Sequence, residues 1–194
     1  MNDFNQINFH DFVDKELSLR GFAIKLTSEY YINNRLPEIM NFVNTIREEH
    51  GAVYGWKAES EAYFTNGLNR KWDFSFAIER INTRELCFIS FSSVYGDNIH
   101  IHCSYANAKY RNMGLAKLHM IKLCQTAIDA GFTHLEGYWP KHNNGSIILH
   151  LRMGWQIEDL RKEGNHLFII GVSLKIRNQV YLMLRTENTT ILQI

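Results

Sequence analysis

The chain has 194 residues, 45% of them hydrophobic and 13% aromatic, enough to bury one sizeable core, and this excludes global disorder. Lys+Arg number 21 against 20 Asp+Glu, and a net charge of +1 gives no electrostatic footprint for nucleic acid or an anionic membrane. No apolar run approaches the roughly 18 residues of a membrane span; the polar, acidic start lacks a signal-peptide core, and Cys87, Cys103 and Cys124 are odd in number and widely spaced, so a cytoplasmic, reducing setting without a disulfide framework or zinc ribbon is expected.

Only Pro37 and Pro140 interrupt the chain, and no linker composition marks a boundary, so one domain over residues 1–194 is expected. Residues 22–31 read as a first strand. Ile39, Phe42, Val43 and Ile46 fall at helical spacing and predict a helix over 36–51, with Gly51 as its C-cap. A second short helix is expected within 57–69. The period then changes to two, with strands at 72–80, 85–93 and 98–105 and turns at Asn82-Thr83 and Gly96-Asp97, an antiparallel meander. Residues 114–131 predict an amphipathic helix with Leu118, Ile121, Cys124 and Ile128 on one face. A strand at 133–139 is stopped by Pro140, a shorter helix spans 144–153, and strands follow in 155–161 and 166–174. Residues 175–194 form a C-terminal extension with a strand-like stretch, long enough to add a strand or exchange between subunits of a homodimer.

The informative segment is Tyr110-Arg111-Asn112-Met113-Gly114-Leu115-Ala116, between a strand and the strongest helix. Glycine at a helix start lets the backbone approach a ligand, and the first-turn N–H groups with the helix dipole form an anion site suited to a pyrophosphate. An Arg and a Gly at such a junction also arise without any ligand.

This stretch, Arg-x-x-Gly-x-Ala, resembles the acyl-CoA pyrophosphate loop of the GNAT superfamily of N-acetyltransferases, whose signature is Arg/Gln-x-x-Gly-x-Gly/Ala. A second block, Asn143, Ser146, His150, Gly154 and Trp155, keeps the spacing of the family pattern Asn-x-x-Ala-x-x-x-Tyr-x-x-x-Gly-Phe. The resemblance implies a mixed α/β (α+β) fold, a mainly antiparallel GNAT-type sheet with helices on both faces. It implies acetyl-CoA as cosubstrate and transfer of the acetyl group to a primary amine in a ternary complex. Arg111, Asn112, Met113, Gly114, Leu115 and Ala116 would wrap the pyrophosphate. The strand 100–105, through Tyr105, would pair with the pantetheine arm in a gap beside strand 133–139, and Asn143 and Ser146 would contact the arm or order the second helix. His150 stands where the family usually has the tyrosine that protonates the departing thiolate; it could take that role or be a packing residue.

Strand alternation places His100, His102 and Ser104 on one face and Ile99, Ile101 and Cys103 on the other. Either histidine could take the proton that an ammonium must lose before attack; both could equally be hydrogen-bonded structural residues. A histidine pair can hold a metal, but no third ligand stands at a supporting spacing, so no metal is expected. On the next strand His134, Glu136 and Tyr138 share one face, and Glu136 and Tyr138 could line the acceptor site. The acceptor is expected to be a small-molecule amine, in a pocket to which Tyr54, Trp56, Tyr63, Phe64, Trp72 and Phe74 could lend apolar walls. A protein amine, or a binding module without turnover, is the alternative.

Overall fold

The computed structural model describes residues 8–161 and 166–172. Seven strands form one sheet in the order β1-β2-β3-β4-β5-β7-β6, where β1 is Phe22–Leu26, β2 Phe76–Arg80, β3 Leu86–Tyr95, β4 Asn98–Ala106, β5 His134–Pro140, β6 Gln156–Arg161 and β7 His166–Val172. Every neighbouring pair is antiparallel except β4 and β5. That parallel pair needs a crossover, which the helix α6 (Leu115–Asp129) supplies.

Two apolar layers sandwich the sheet. On one face α1 (Phe9–Leu19), α6 and α7 (Asn144–Arg152) bury Val13, Leu17, Ile121, Cys124 and Ile147 against Phe76, Phe88, Ile99, Ile101, Leu135 and Trp139. On the other α2 (Glu29–Glu49) and α4 (Glu61–Thr65) bury Ile32, Ile39, Val43 and Phe64 against Ala77, Ile89, Phe91 and Tyr105. The mixed sheet with helices on both faces is the expected architecture. No helix among the described residues is long and apolar enough to cross a membrane.

Several boundaries differ from the sequence reading, each for a local reason. α1 was not expected; Asn8 caps it by accepting from the His10 and Asp11 N–H groups. β1 ends at Leu26, because Ser28 accepts the Tyr31 N–H and starts α2 at Glu29, not at 36. Pro37 therefore lies inside α2, on its exposed side, where the carbonyl that loses its donor can face water. A single turn, α3 (Gly51–Tyr54), follows α2, and another, α5 (Lys71–Phe74), takes the start of the expected strand 72–80, so β2 begins at Phe76. Only 61–65 of the segment 57–69 is helical. The extension at 175–194 lies outside the described residues.

Candidate active site

The parallel ladder is short. Ile99 pairs with Leu135, His100 with Glu136 and Ile101 with Gly137, and there it stops. β4 stays with β3 as far as Ala106, and β5 stays with β7 as far as Pro140, so the two strands separate and leave a gap. A cleft of about 870 Å³ runs through it, reaching from Arg111, Asn112 and Gly114 at the start of α6 to His50, Tyr54 and Trp56 beyond α2.

At the α6 end, Gly114 has φ +75° and Asn112 φ +64°, left-handed conformations that favour glycine and tolerate asparagine. The first bond of the helix runs from Leu118 N–H to the Gly114 carbonyl, so the N–H groups of Leu115 and Ala116 precede the helical ladder. Arg20, from α1's C-terminus, donates to the Met113 carbonyl at 3.3 Å and braces the loop, a contact no local pattern announces. Arg111, Gly114, Leu115 and Ala116 line the cleft together, with Asn143, Ser146 and His150 of the second motif opposite. Met113 is exposed at the tip. Asn143 caps α7, accepting the Ser146 N–H at 3.3 Å.

The β4 face differs from strict alternation. Ser92 pairs with Ile101 and Phe91 with Cys103, so His102 is an extra residue, a β-bulge. The bulge turns the strand over. Ile99 and Ile101 lie in the α6 layer, whereas Cys103 and Tyr105 pack in the α2 layer, so Cys103 does not share a face with the isoleucines. Ser104 is likewise separated from the histidines: its hydroxyl meets that of Ser90 at 2.9 Å. Tyr105 is buried on the α2 side, its hydroxyl accepting from Arg47 at 2.7 Å.

His100 and His102 do come together, ring centroids 5.0 Å apart. The Ser93 hydroxyl lies 2.7 Å from His102 Nε2. Part of His102 reaches solvent, yet loss of hydration, helped by the charges of His100 and Lys71, holds its pKa down to about 4. Glu136 is 7% exposed, a buried carboxylate; Asn98 donates to it at 2.9 Å and His100 Nδ1 lies 3.4 Å away. The Tyr138 ring sits 5.5 Å from that of His100. β5 therefore presents Glu136 and Tyr138 to the His100 side, as its alternation predicts.

On the opposite side of the gap His150 is buried between Trp139 and Trp155, centroids at 4.3 and 4.8 Å. Its Nδ1 lies 2.6 Å from the Ser146 carbonyl, which can only accept, so Nδ1 carries the hydrogen and Nε2 is a bare lone pair. Burial outweighs that hydrogen bond and holds His150 at about pKa 4.

Beyond β4, His50, Tyr54, Trp56, Tyr63 and Tyr105 gather at the α2 end of the cleft, Tyr54 and Trp56 at 4.7 Å and Trp56 edge-on to Tyr105 at 5.8 Å. Trp72, Phe64 and Phe74 do not line it; the last two are core. Arg47 enters this wall but is engaged by Glu59 at 2.7 Å and by Tyr105. Lys71, buried among Tyr63, Trp72 and Phe91, is pulled down to about pKa 8 by burial, with the nearby Cys103 opposing.

The sequence profile of the Acetyltransferase (GNAT) family matches residues 38–155, well over half the chain, and the protein belongs to that family. Its fold is shared with solved structures of low identity. A candidate acetyltransferase from Acinetobacter baylyi has TM-score 0.65 at 18% identity, covering 78% of this chain and 92% of its own. A candidate acetyltransferase from Salmonella typhimurium, solved with acetyl-CoA, has TM-score 0.62 at 12% identity, covering 79% and 94%. The ribosomal-protein-S18-alanine N-acetyltransferase of Escherichia coli has TM-score 0.57 at 16% identity, covering 77% and 90%. No curated protein matches by sequence.

Proposed function

We propose that the chain transfers an acyl group, acetyl in the first instance, from acyl-CoA to the primary amine of a small molecule with an apolar, aromatic-compatible body. The observation that carries this reading is the gap between β4 and β5, opening directly from the glycine-led start of α6.

The residues fit acyl-CoA in kind. The N–H groups of Leu115 and Ala116, with the Arg111 side chain, suit a pyrophosphate. The edge of β4 past Ile101, turned toward the gap and unmatched by β5, suits amides of the arm. Bound there, acyl-CoA supplies a thioester carbonyl as electrophile. Backbone amides at the β4 bulge would stabilise the oxyanion. His100, aligned by Glu136, would accept the amine's proton directly or through water, and His102 stands beside it as the second candidate. A thiol leaves as a weakly basic anion, with a pKa of about 8.5, and needs little help. His150, with hydrogen on Nδ1 held by the Ser146 carbonyl, has no proton on Nε2 to give, so the thiolate would draw its proton from water.

The acceptor class follows from the far wall. Aromatic faces dominate it, and its cation and carboxylate, Arg47 and Glu59, neutralise each other. That favours a monoamine on an apolar body over an acidic or polycationic acceptor.

Calorimetric titration with acetyl-CoA tests the reading, with Gly114→Glu as control. The substitution places a side chain at φ +75° and a negative charge at the anion site, and should abolish binding. Thiol release with a panel of amines then tests turnover. A chain that binds neither acetyl-CoA nor CoA would refute the proposal; one that binds but releases no thiol with any amine is a binding module.

A further inference from the structure

The wall of the cleft contains a group that neither motif includes. His119 sits one turn into α6, four residues past Leu115, and is fully buried, yet it borders the cleft with Phe88, Ala106, Leu115 and Met120. Neither of its ring nitrogens has a hydrogen-bond partner among the described residues. Its nearest rings are Phe88 at 4.8 Å and Phe76 at 5.8 Å, which offer no lone pair and no N–H. A neutral imidazole has one donor and one acceptor, so both go unanswered, and each such group is costly to bury. Phenylalanine would fill the same volume without that penalty. His150 Nε2 and Trp155 Nε1 are buried and unpartnered in the same layer. These unanswered nitrogens lie in one layer beside the gap.

We infer that His119 is a positioning residue for acyl-CoA, one ring nitrogen of its imidazole giving or taking a hydrogen bond with the neutral part of the pantetheine arm. This rests on the proposed function. Two observations select the arm rather than the pyrophosphate. His119 lies about 6 Å along the helix from Leu115, from 1.5 Å of rise per residue, on the way from the anion loop into the gap. Burial, with His150 beside it, holds the ring near pKa 3, so it is neutral at working pH and offers no charge to a phosphate. A neutral ring can, through one nitrogen, give a hydrogen bond to an amide carbonyl or take one from an amide N–H or a hydroxyl.

The test uses the full-length protein. His119→Phe should raise Tm by a few degrees without ligand, because an unpaired polar group is gone, while acetyl-CoA and CoA bind about tenfold more weakly. The amine KM should not move. His119→Gln, which restores a donor and an acceptor, should recover most of the affinity. Wild-type protein labelled with ¹⁵N-histidine gives a readout that needs no variant: CoA should shift the His119 ring-nitrogen signals. Unchanged acetyl-CoA affinity in His119→Phe, or CoA binding with no shift at His119, would overturn the inference and leave the proposed function standing. Failure of wild-type protein to bind acetyl-CoA would instead overturn the proposed function.

Discussion

Gly137 marks the last rung of the β4–β5 ladder, and Gly137→Ala should close the gap from within. An added Cβ would stand 2.6 and 2.9 Å from two carbons of the Trp139 ring and 3.0 Å from the Ile101 carbonyl oxygen. Ordinary contact begins near 3.4 Å, so the ring must move by roughly 1 Å, or the two strands must part by a similar amount. Neither is easy: Trp139 is 8% exposed and already lies 4.3 Å from the His150 ring and 6.1 Å from that of Trp155. Overpacking of this kind costs about 1–3 kcal/mol. For a chain of this size that lowers Tm by about 3–10 °C. Pushed away from Gly137, the indole crowds His150 and narrows the cleft, so acetyl-CoA affinity should fall as well. Gly145→Ala is the control for stability. Its Cβ would meet nothing within 4 Å, and it lies in the first turn of α7, so it should leave Tm unchanged or raise it. Differential scanning calorimetry and acetyl-CoA titration of both variants decide the matter. A Gly137→Ala protein with wild-type Tm and wild-type affinity would refute the claim that Trp139 bounds a tightly packed gap.

Other outcomes follow from the same structure. His100→Ala should lower kcat/KM by about 10²–10⁴-fold, the usual weight of a general base, with little change in Tm; wild-type rates would remove it from the mechanism. Glu136→Gln removes the carboxylate oxygen that lies 3.4 Å from His100 Nδ1, so kcat/KM should fall as the ring loses its alignment, with Tm little changed. An acid limb of the kcat/KM profile near pH 4 would hand the role to His102, whose pKa is about 4. His119 and His150 are held near 3 and 4 in the folded protein. The unfolded chain protonates both near pH 6.5, so acid favours unfolding: their stability is complete above that pH and drains as pH falls toward 4, by at most about 2.7 kcal/mol per pH unit for the pair, to which the partly exposed His102, near pKa 4, adds a smaller, solvent-screened share. Urea melts from pH 7 to 5 measure the slope, and His119→Phe should lower it by up to about 1.4 kcal/mol per pH unit. Glu79 is 1% exposed; burial acts to raise its pKa, but the Tyr31 hydroxyl and the Arg35, Lys25 and Arg84 charges overcome this and hold it low. Glu79→Ala should therefore cost about 1–3 kcal/mol, because the Tyr31 hydroxyl and the half-buried Arg35 lose their shared acceptor while Arg35 keeps Glu38, read as a lower urea midpoint; a midpoint within error of wild type would show the network to be ornamental.

Much of the fold was legible because it is written in local terms. The period-two runs 85–93 and 98–105 and the apolar face of 114–131 became β3, β4 and α6 with boundaries moved by a residue or two. The glycine-led loop before α6 was legible too, since Gly114 at φ +75° and the first turn of α6 are properties of adjacent residues. The elements that were missed depend on competition between neighbouring signals. The Ser28 cap overrides the strand-like look of Tyr30 and Tyr31 and carries α2 through Pro37, and Asn8 starts a helix in a stretch whose composition alone reads as a polar tail.

The sequence alone determined the family, the glycine-led loop before α6 and the alternation that sets Glu136 and Tyr138 on one side of β5, because each depends on residues a few positions apart. Tertiary structure decided the rest. The bulge at His102 exists only because β4 must match β3 across the ladder, and it moved Cys103 and Ser104 to the faces opposite those that alternation gives. The approach of His100 to Glu136 depends on the β4–β5 register, 36 residues apart in sequence. Arg20 at the loop and His119 in the cleft wall acquire their meaning from the packing of α1 and α6. No local rule could single out His119: its lack of a partner is a property of everything folded around it.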